Sequence, residues 1–172
     1  MNPEKFRILF VCMGNICRSP SAEGVFHHLL AQSPLAQRIE IDSAGTVAHH
    51  IGESPDRRSQ AAARKRGFDL SSLRARQVQV SDFADFDLVL AMDRDNLESM
   101  QRICPPRFAN KLELFLHYAS EFDEMEVPDP YYGGSDGFEH VLDLIEAASL
   151  GLLGTLQKDG RLEGAATKAH AE

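Results

Sequence analysis

The 172-residue sequence predicts an α/β protein, a three-layer sandwich in which a four-stranded parallel, flavodoxin-like sheet carries helices on both faces. Two observations lead there. Short apolar runs of strand length alternate with longer segments whose apolar residues recur at helical spacing, and the order strand, loop, helix repeats along the chain.

Phe6-Arg-Ile-Leu-Phe-Val-Cys12 reads as a buried strand. A polar turn follows it, then a helix in which Ala22, Val25, Phe26, Leu29 and Leu30 fall at i, i+3, i+4, i+7 and i+8. Ile39 to Ser43 forms a second, short strand, and Asp56 to Arg66 a helix rich in Ala and Arg that Gly67 caps. Asp87-Leu-Val-Leu-Ala-Met92 is the third strand; it leads into a helix from Asp93 to Ile103 that Pro105 and Pro106 stop. Leu112-Glu-Leu-Phe-Leu116 is the fourth. The last helix, Asp136 to Leu156, lines up Phe138, Val141, Leu142, Ile145, Ser149, Leu152, Leu153 and Leu156. The folded domain is therefore expected to cover 1–157, with 158–172 a disordered tail.

Composition narrows the function. With 43% hydrophobic and 26% charged residues the chain is an ordinary globular one, and no run approaches the roughly 20 apolar residues of a membrane helix. Lys5 and Arg7 before Ile8-Leu-Phe-Val11 imitate a secretory signal only faintly, and no cleavage site follows, so a cytoplasmic location is expected. Three cysteines cannot make a disulfide framework and are better explained as reduced thiols. The net charge of −8 argues against nucleic acid and against anionic membrane as partners. From Leu112 to Gln157 there are acids but no Lys or Arg, whereas Asp56 to Lys111 is the basic stretch; two solvated faces of opposite sign are expected.

In such sheets ligands bind beyond the carboxyl ends of the strands, which directs attention to Val11-Cys-Met-Gly-Asn-Ile-Cys-Arg-Ser-Pro20 between the first strand and the first helix. Gly14 permits positive φ and Asn15 tolerates it, so the backbone amides of Met13, Gly14, Asn15, Ile16 and Cys17 can curl into an anion nest. Ser19 stands where an N-cap belongs and Pro20 suits the first helical turn, whose positive end favours phosphate. Cys12 at the strand end and Arg18 at the helix start enter the same hollow. A thiolate nucleophile beside a guanidinium that grips equatorial oxygens describes attack on phosphorus.

At this loop the chain resembles the low-molecular-weight protein tyrosine phosphatases, whose pattern V-C-x-G-N-x-C-R-S-P it matches at every fixed position. The resemblance extends through Asp42-Ser-Ala-Gly45, Ala75-Arg-Gln77, Met92-Asp93 and Asp129-Pro-Tyr-Tyr-Gly133, over residues 6–156. It implies metal-free hydrolysis of phosphotyrosine without a cofactor, through a phosphocysteine on Cys12. Arg18 and the loop amides then bind phosphate, Ser19 helps the thiolate leave, and Asp129 is the general acid and base. It also implies that Tyr131 and Tyr132 wall the pocket for an aryl phosphate, and that the substrate is a phosphotyrosine protein such as a bacterial tyrosine kinase.

Two positions depart from the resemblance. His49 stands where many members have an aromatic pocket wall, and Leu73 where many have a His that joins the hydrogen bonds of Asn15 and Ser43. Asn15 and Ser43 are still expected to brace the loop, within a smaller network. Ile16 favours a flat aryl leaving group over the guanidinium of phosphoarginine, whose phosphatases resemble the same motif with Thr there. By the same resemblance Cys17 pairs reversibly with Cys12 under peroxide, against the simpler reading of a packed thiol. The pairs His27-His28 and His49-His50 lack the spacing of metal ligands and read as solvent or rim residues. Arsenate reductase on the same fold is an alternative, but it needs two further redox cysteines; Met92 stands at one position and only Cys104 follows. A phosphopeptide-binding module without turnover is the non-enzymatic alternative.

Overall fold

A computed structural model describes residues 4–158 and 160–162. Its elements are β1 (Phe6–Cys12), α1 (Arg18–Ala31), β2 (Ile39–Gly45), α2 (Arg57–Lys65), α3 (Val80–Asp85), β3 (Leu88–Ala91), α4 (Arg94–Ile103), β4 (Leu112–Leu114) and α5 (Ser135–Lys158). The four strands form one parallel sheet in the order β2-β1-β3-β4. Ile8, Leu9, Phe10 and Val11 of β1 are all fully buried, because a central strand covered on both faces needs apolar residues at every position.

Two apolar layers hold the sheet. On one face Phe10 packs edge-on against Phe115 and tilts toward Phe26 of α1, with Leu142, Ile145 and Leu152 of α5 completing the layer. On the other, Leu9, Val11 and Val89 meet Phe83 of α3 and Met100 of α4. Each fully buried side chain of this size is worth about 1.5–3 kcal/mol, and because all four strands are parallel their carboxyl ends lie together at one end of the sheet.

The predicted elements are present with shifted ends. Asp56 caps α2 by accepting from the Arg58 amide, and Asp93 caps α4 by accepting from the Asn96 amide. Gly67 ends α2 with φ at +88°, where a β-carbon would be strained. Helix α3 was not anticipated: six residues are too few to show a helical period, and the Asp82 carboxylate stabilises its start by accepting from the Gln79 amide. The fourth strand stops at Leu114 rather than Leu116, since Phe115–Tyr118 turns as a 3₁₀ helix that buries Phe115 under the sheet.

At the carboxyl end, residues 160–162 fall in the segment expected to be tail. There Leu162 is only 6% exposed, and its carbonyl accepts from the Arg38 guanidinium. Of the rest of that segment, Lys158 ends α5, and 159 and 163–172 lie outside the described residues. No helix among the described residues is long and apolar enough to cross a membrane.

Candidate active site

The loop between β1 and α1 is held from beneath by the end of β2. In the parallel register Cys12 faces Gly45, and Thr46 and Val47 donate their amides to the carbonyls of Cys12 and Met13. The approach is so close that a β-carbon on Gly45 would stand 2.6 Å from the Met13 carbonyl oxygen. A glycine is required at that position for packing, whatever its φ.

Asn15, not Gly14, supplies the positive φ of the loop, at +56°. Short polar side chains tolerate this region because they hydrogen-bond locally. Asn15 does so on three sides: its Nδ2 donates to Ser19 Oγ (2.7 Å) and to Ser43 Oγ (3.0 Å), and its Oδ1 accepts from the Arg76 amide (3.0 Å). Gly14 serves space instead, since a β-carbon there would lie 3.1 Å from the His50 ring.

Cys12 Sγ accepts from the Asn15 amide at 3.3 Å and lies 3.0 Å from Ser19 Oγ. Ser19 is not the N-cap of α1; the helix begins at Arg18 and Cys17 occupies the cap without a side-chain hydrogen bond. Ser19 is already the second residue of the helix, and its hydroxyl is turned to the loop, where it meets Cys12 Sγ and accepts from Asn15 Nδ2. Pro20 sits inside the first turn, where its missing amide costs nothing.

Arg18 is 3% exposed and points across the sheet end. Its Nη1 donates to Asp93 Oδ2 (2.6 Å) and to the Val127 carbonyl (3.1 Å), while its Nη2 stands 3.7 Å from Asp129 Oδ2. Burial opposes its charge, but Cys12, Asp93 and Asp129 outweigh burial and raise the guanidinium above its ordinary value. Asp93 was overlooked as a site residue because its N-cap role already explains an Asp at a strand-to-helix junction. Both oxygens are used: Oδ1 caps α4 and Oδ2 orients Arg18.

Asp129 arrives on the segment between β4 and α5, which the Val127 amide pins to the Met92 carbonyl at the end of β3. Its carboxylate is 40% exposed and accepts from the Tyr131 amide. Cys12, Met13, Gly14, Ile16, Cys17, Arg18 and Asp129 line one cavity of about 170 Å³, together with His49, His50, Tyr131 and Tyr132 and with Val47, which the sequence did not single out. Arg58 stacks on Tyr131 and on Phe138, fixing that wall. Cys17 is buried, and burial pushes its thiol up to about 12, so it is a neutral thiol at physiological pH.

Behind the loop, the apolar side chain of Leu73 packs on the core. The network extends beyond Asn15 and Ser43. Ser43 Oγ donates to Glu23 Oε2 at 3.1 Å, so Asn15, Ser19, Ser43, Glu23 and the Arg76 amide form one connected set.

Comparison with known proteins identifies the family. The family profile of low molecular weight phosphotyrosine protein phosphatases matches residues 7–162. A low molecular weight protein-tyrosine-phosphatase of Streptomyces coelicolor is 45% identical over 161 residues, covering 91% of this chain and 98% of its own. Among solved structures, a protein tyrosine phosphatase of Entamoeba histolytica with Hepes in its active site superposes with a TM-score of 0.87 at 38% identity, covering 90% of this chain and 98% of that one. Vibrio vulnificus Wzb in complex with benzylphosphonate superposes with a TM-score of 0.76 at 28% identity, covering 88% and 99%. The chain belongs to the low molecular weight phosphotyrosine protein phosphatase family. It is a tyrosine phosphatase, a hydrolase that acts on phosphotyrosine proteins.

Proposed function

We propose that Cys12 carries the reaction, with Arg18 and the amides of Met13, Gly14, Asn15, Ile16 and Cys17 gripping the phosphoryl oxygens and Asp129 moving the proton. Cys12 Sγ attacks phosphorus and forms the S–P bond while the P–O bond to the tyrosine breaks. Asp129 gives its proton to the departing phenolate. Water then attacks the phosphocysteine, Asp129 takes a proton from it, and the S–P bond breaks to release phosphate and the Cys12 thiolate. Ser19 donates to that sulfur as it leaves, and the guanidinium of Arg18 stabilises the equatorial charge in both steps. His49, Tyr131 and Tyr132 hold the aryl ring, in keeping with the benzylphosphonate in complex with the Vibrio vulnificus relative.

The observation that carries this reading is the convergence of three groups in one cavity: the Cys12 sulfur held by the Asn15 amide, the buried Arg18 and the Asp129 carboxylate 3.7 Å from it. Steady-state hydrolysis of phosphotyrosine, phosphoserine and phosphoarginine peptides without added metal, by wild type and Cys12→Ser, tests it. Metal-independent turnover of phosphotyrosine that Cys12→Ser lacks is expected. Preferred turnover of phosphoarginine would overturn the role given to Ile16. A bacterial tyrosine kinase in the cytoplasm, where thiols remain reduced, is the proposed protein substrate; loss of its phosphotyrosine on incubation with the enzyme is the check.

A further inference from the structure

Glu23 is a charged side chain buried to nine-tenths on α1, two turns from the phosphate loop, and no step of the mechanism uses it. What it touches makes it informative. Its Oε2 accepts from Ser43 Oγ, Ser43 Oγ in turn accepts from Asn15 Nδ2, and the second proton of that amide goes to Ser19 Oγ. The Arg76 amide holds Asn15 Oδ1, so the Asn15 side chain cannot reverse its donors and acceptor. Each link therefore points one way. With Ser43 donating to Glu23 and Asn15 donating to Ser19, the single Ser19 proton is left for Cys12 Sγ at 3.0 Å or, more distantly, the Ala44 carbonyl at 3.4 Å.

We propose that Glu23 is a positioning residue whose ionised carboxylate aligns the chain Ser43, Asn15, Ser19 so that Ser19 donates to the departing sulfur of Cys12, and whose protonation loosens that alignment. The inference rests on the phosphocysteine reading above. Its physical basis is that a hydrogen bond to a carboxylate is roughly twice as strong as one between neutral groups, so neutralising Glu23 weakens the anchor of the whole chain.

The surroundings raise the Glu23 carboxyl into the neutral range. Burial, and then the charge of Asp42 on β2, push the carboxyl up to about 7, against the pull of Ser43 and Arg76. Arg76 is shared: it pairs with Asp42 through Nε and with Asp82 of α3 through Nη1. His27 and His28 on α1 and Asp69 beyond α2 line the open cleft next to Glu23, with Ile41 and Leu73, which gives the carboxyl a path to solvent. Leu73 presents only hydrocarbon to that cleft.

The sign follows directly. Above pH 7 Glu23 is ionised and the chain is aligned; below it the carboxyl is neutral and phosphocysteine breakdown slows. The experiment is the pH profile of kcat for an activated aryl phosphate, for which breakdown limits turnover, in wild type, Glu23→Gln and Ser43→Ala. Wild type is expected to lose kcat about 3- to 10-fold as pH falls through 7. Glu23→Gln, a permanent copy of the neutral acid, should sit at the low plateau without that limb, with KM falling alongside kcat and phosphoenzyme accumulating in a stopped-flow burst. Glu23→Gln combined with Ser43→Ala should lose no more than the larger single loss, because both break one chain. A Glu23→Gln profile that superposes on wild type, or losses that multiply in the double variant, would overturn the role of Glu23 while Cys12-dependent turnover stands. Absence of Cys12-dependent turnover in wild type would instead overturn the phosphocysteine reading on which the inference rests.

Discussion

Single residues in this site have two tasks at once, and the pairing explains which substitutions separate them. Asp93 caps α4 with one oxygen and orients Arg18 with the other. Asn accepts at an N-cap as well as Asp does, so Asp93→Asn should retain nearly the wild-type melting temperature but lose the charge that fixes the guanidinium. A fall in kcat/KM of about 10- to 100-fold is expected, equivalent to about 1.4–2.7 kcal/mol; an unchanged kcat/KM would show that the Val127 carbonyl alone suffices to hold Arg18. Cys17 is a different case. As a buried thiol pushed up to about 12 it has no charge to contribute to phosphate binding, so Cys17→Ser should keep kcat within about twofold, an ordinary result for a substitution that breaks none of the named contacts. Peroxide inactivation that thiols no longer reverse in Cys17→Ser would support its pairing with an oxidised Cys12; reversal as in wild type would leave it a packing residue.

Between elements, the charge asymmetry along the chain turns out to be internal pairing in part. Arg66, at the end of α2, is 22% exposed and reaches Glu139, Asp143 and Glu146 on successive turns of α5. Arg94 pairs with Glu126 in the same manner, joining α4 to the segment that carries Asp129. Periodicity displays the apolar stripe of α5 but not its acidic partners, since those depend on which helix lies alongside. Exposed pairs contribute about 0.2–1 kcal/mol each, less with salt, and a network around one partly buried guanidinium lies at the upper end. Arg66→Ala should lower the melting temperature by about 2–6 °C at low salt, given about 2–4 °C per kcal/mol for a chain of this size. The loss should shrink toward 1 M salt. A loss that does not change with salt would assign the effect to the stem of Arg66 packing on α5 rather than to its charge.

Across the entire chain, the buried Glu23 links stability to pH in a direction of its own. Burial and Asp42 raise its carboxyl from an ordinary 4.5 to about 7, so the folded state holds this proton more tightly than the unfolded one. Its contribution is fully present below about pH 4.5 and is lost as pH rises through 7. The full difference is of the order of 3 kcal/mol. Glu23→Gln should therefore gain on wild type between pH 5.5 and 8, read as a widening difference in melting temperature. A constant difference over that range would show that Glu23 does not change its proton there. The same side chain would thus lower stability at the pH where it aligns the site.

The local information in this chain was enough to read four strands, four of the five helices, and the loop that carries Cys12 and Arg18, because each rests on neighbouring residues: a run of apolar side chains, a helical period, or ten consecutive residues at a strand-to-helix junction. Asp129 was legible only through the family pattern, since an Asp between two prolines is by itself an ordinary turn. Contacts between distant segments were not legible at all. That Asn15 rather than Gly14 takes the positive φ depends on Ser43 and Arg76, which lie 28 and 61 positions away. That the Ser19 hydroxyl meets the Cys12 sulfur depends on how the loop curls, and that Asp93 belongs to the site depends on Arg18 crossing the end of the sheet. Glu23 reads as a surface acid of α1 until β2 and the segment before α3 cover it. Sequence periodicity reports which face of an element is apolar; burial of a polar group and the partner that satisfies it are properties of the packed chain, because both are set by what another segment brings within about 3 Å.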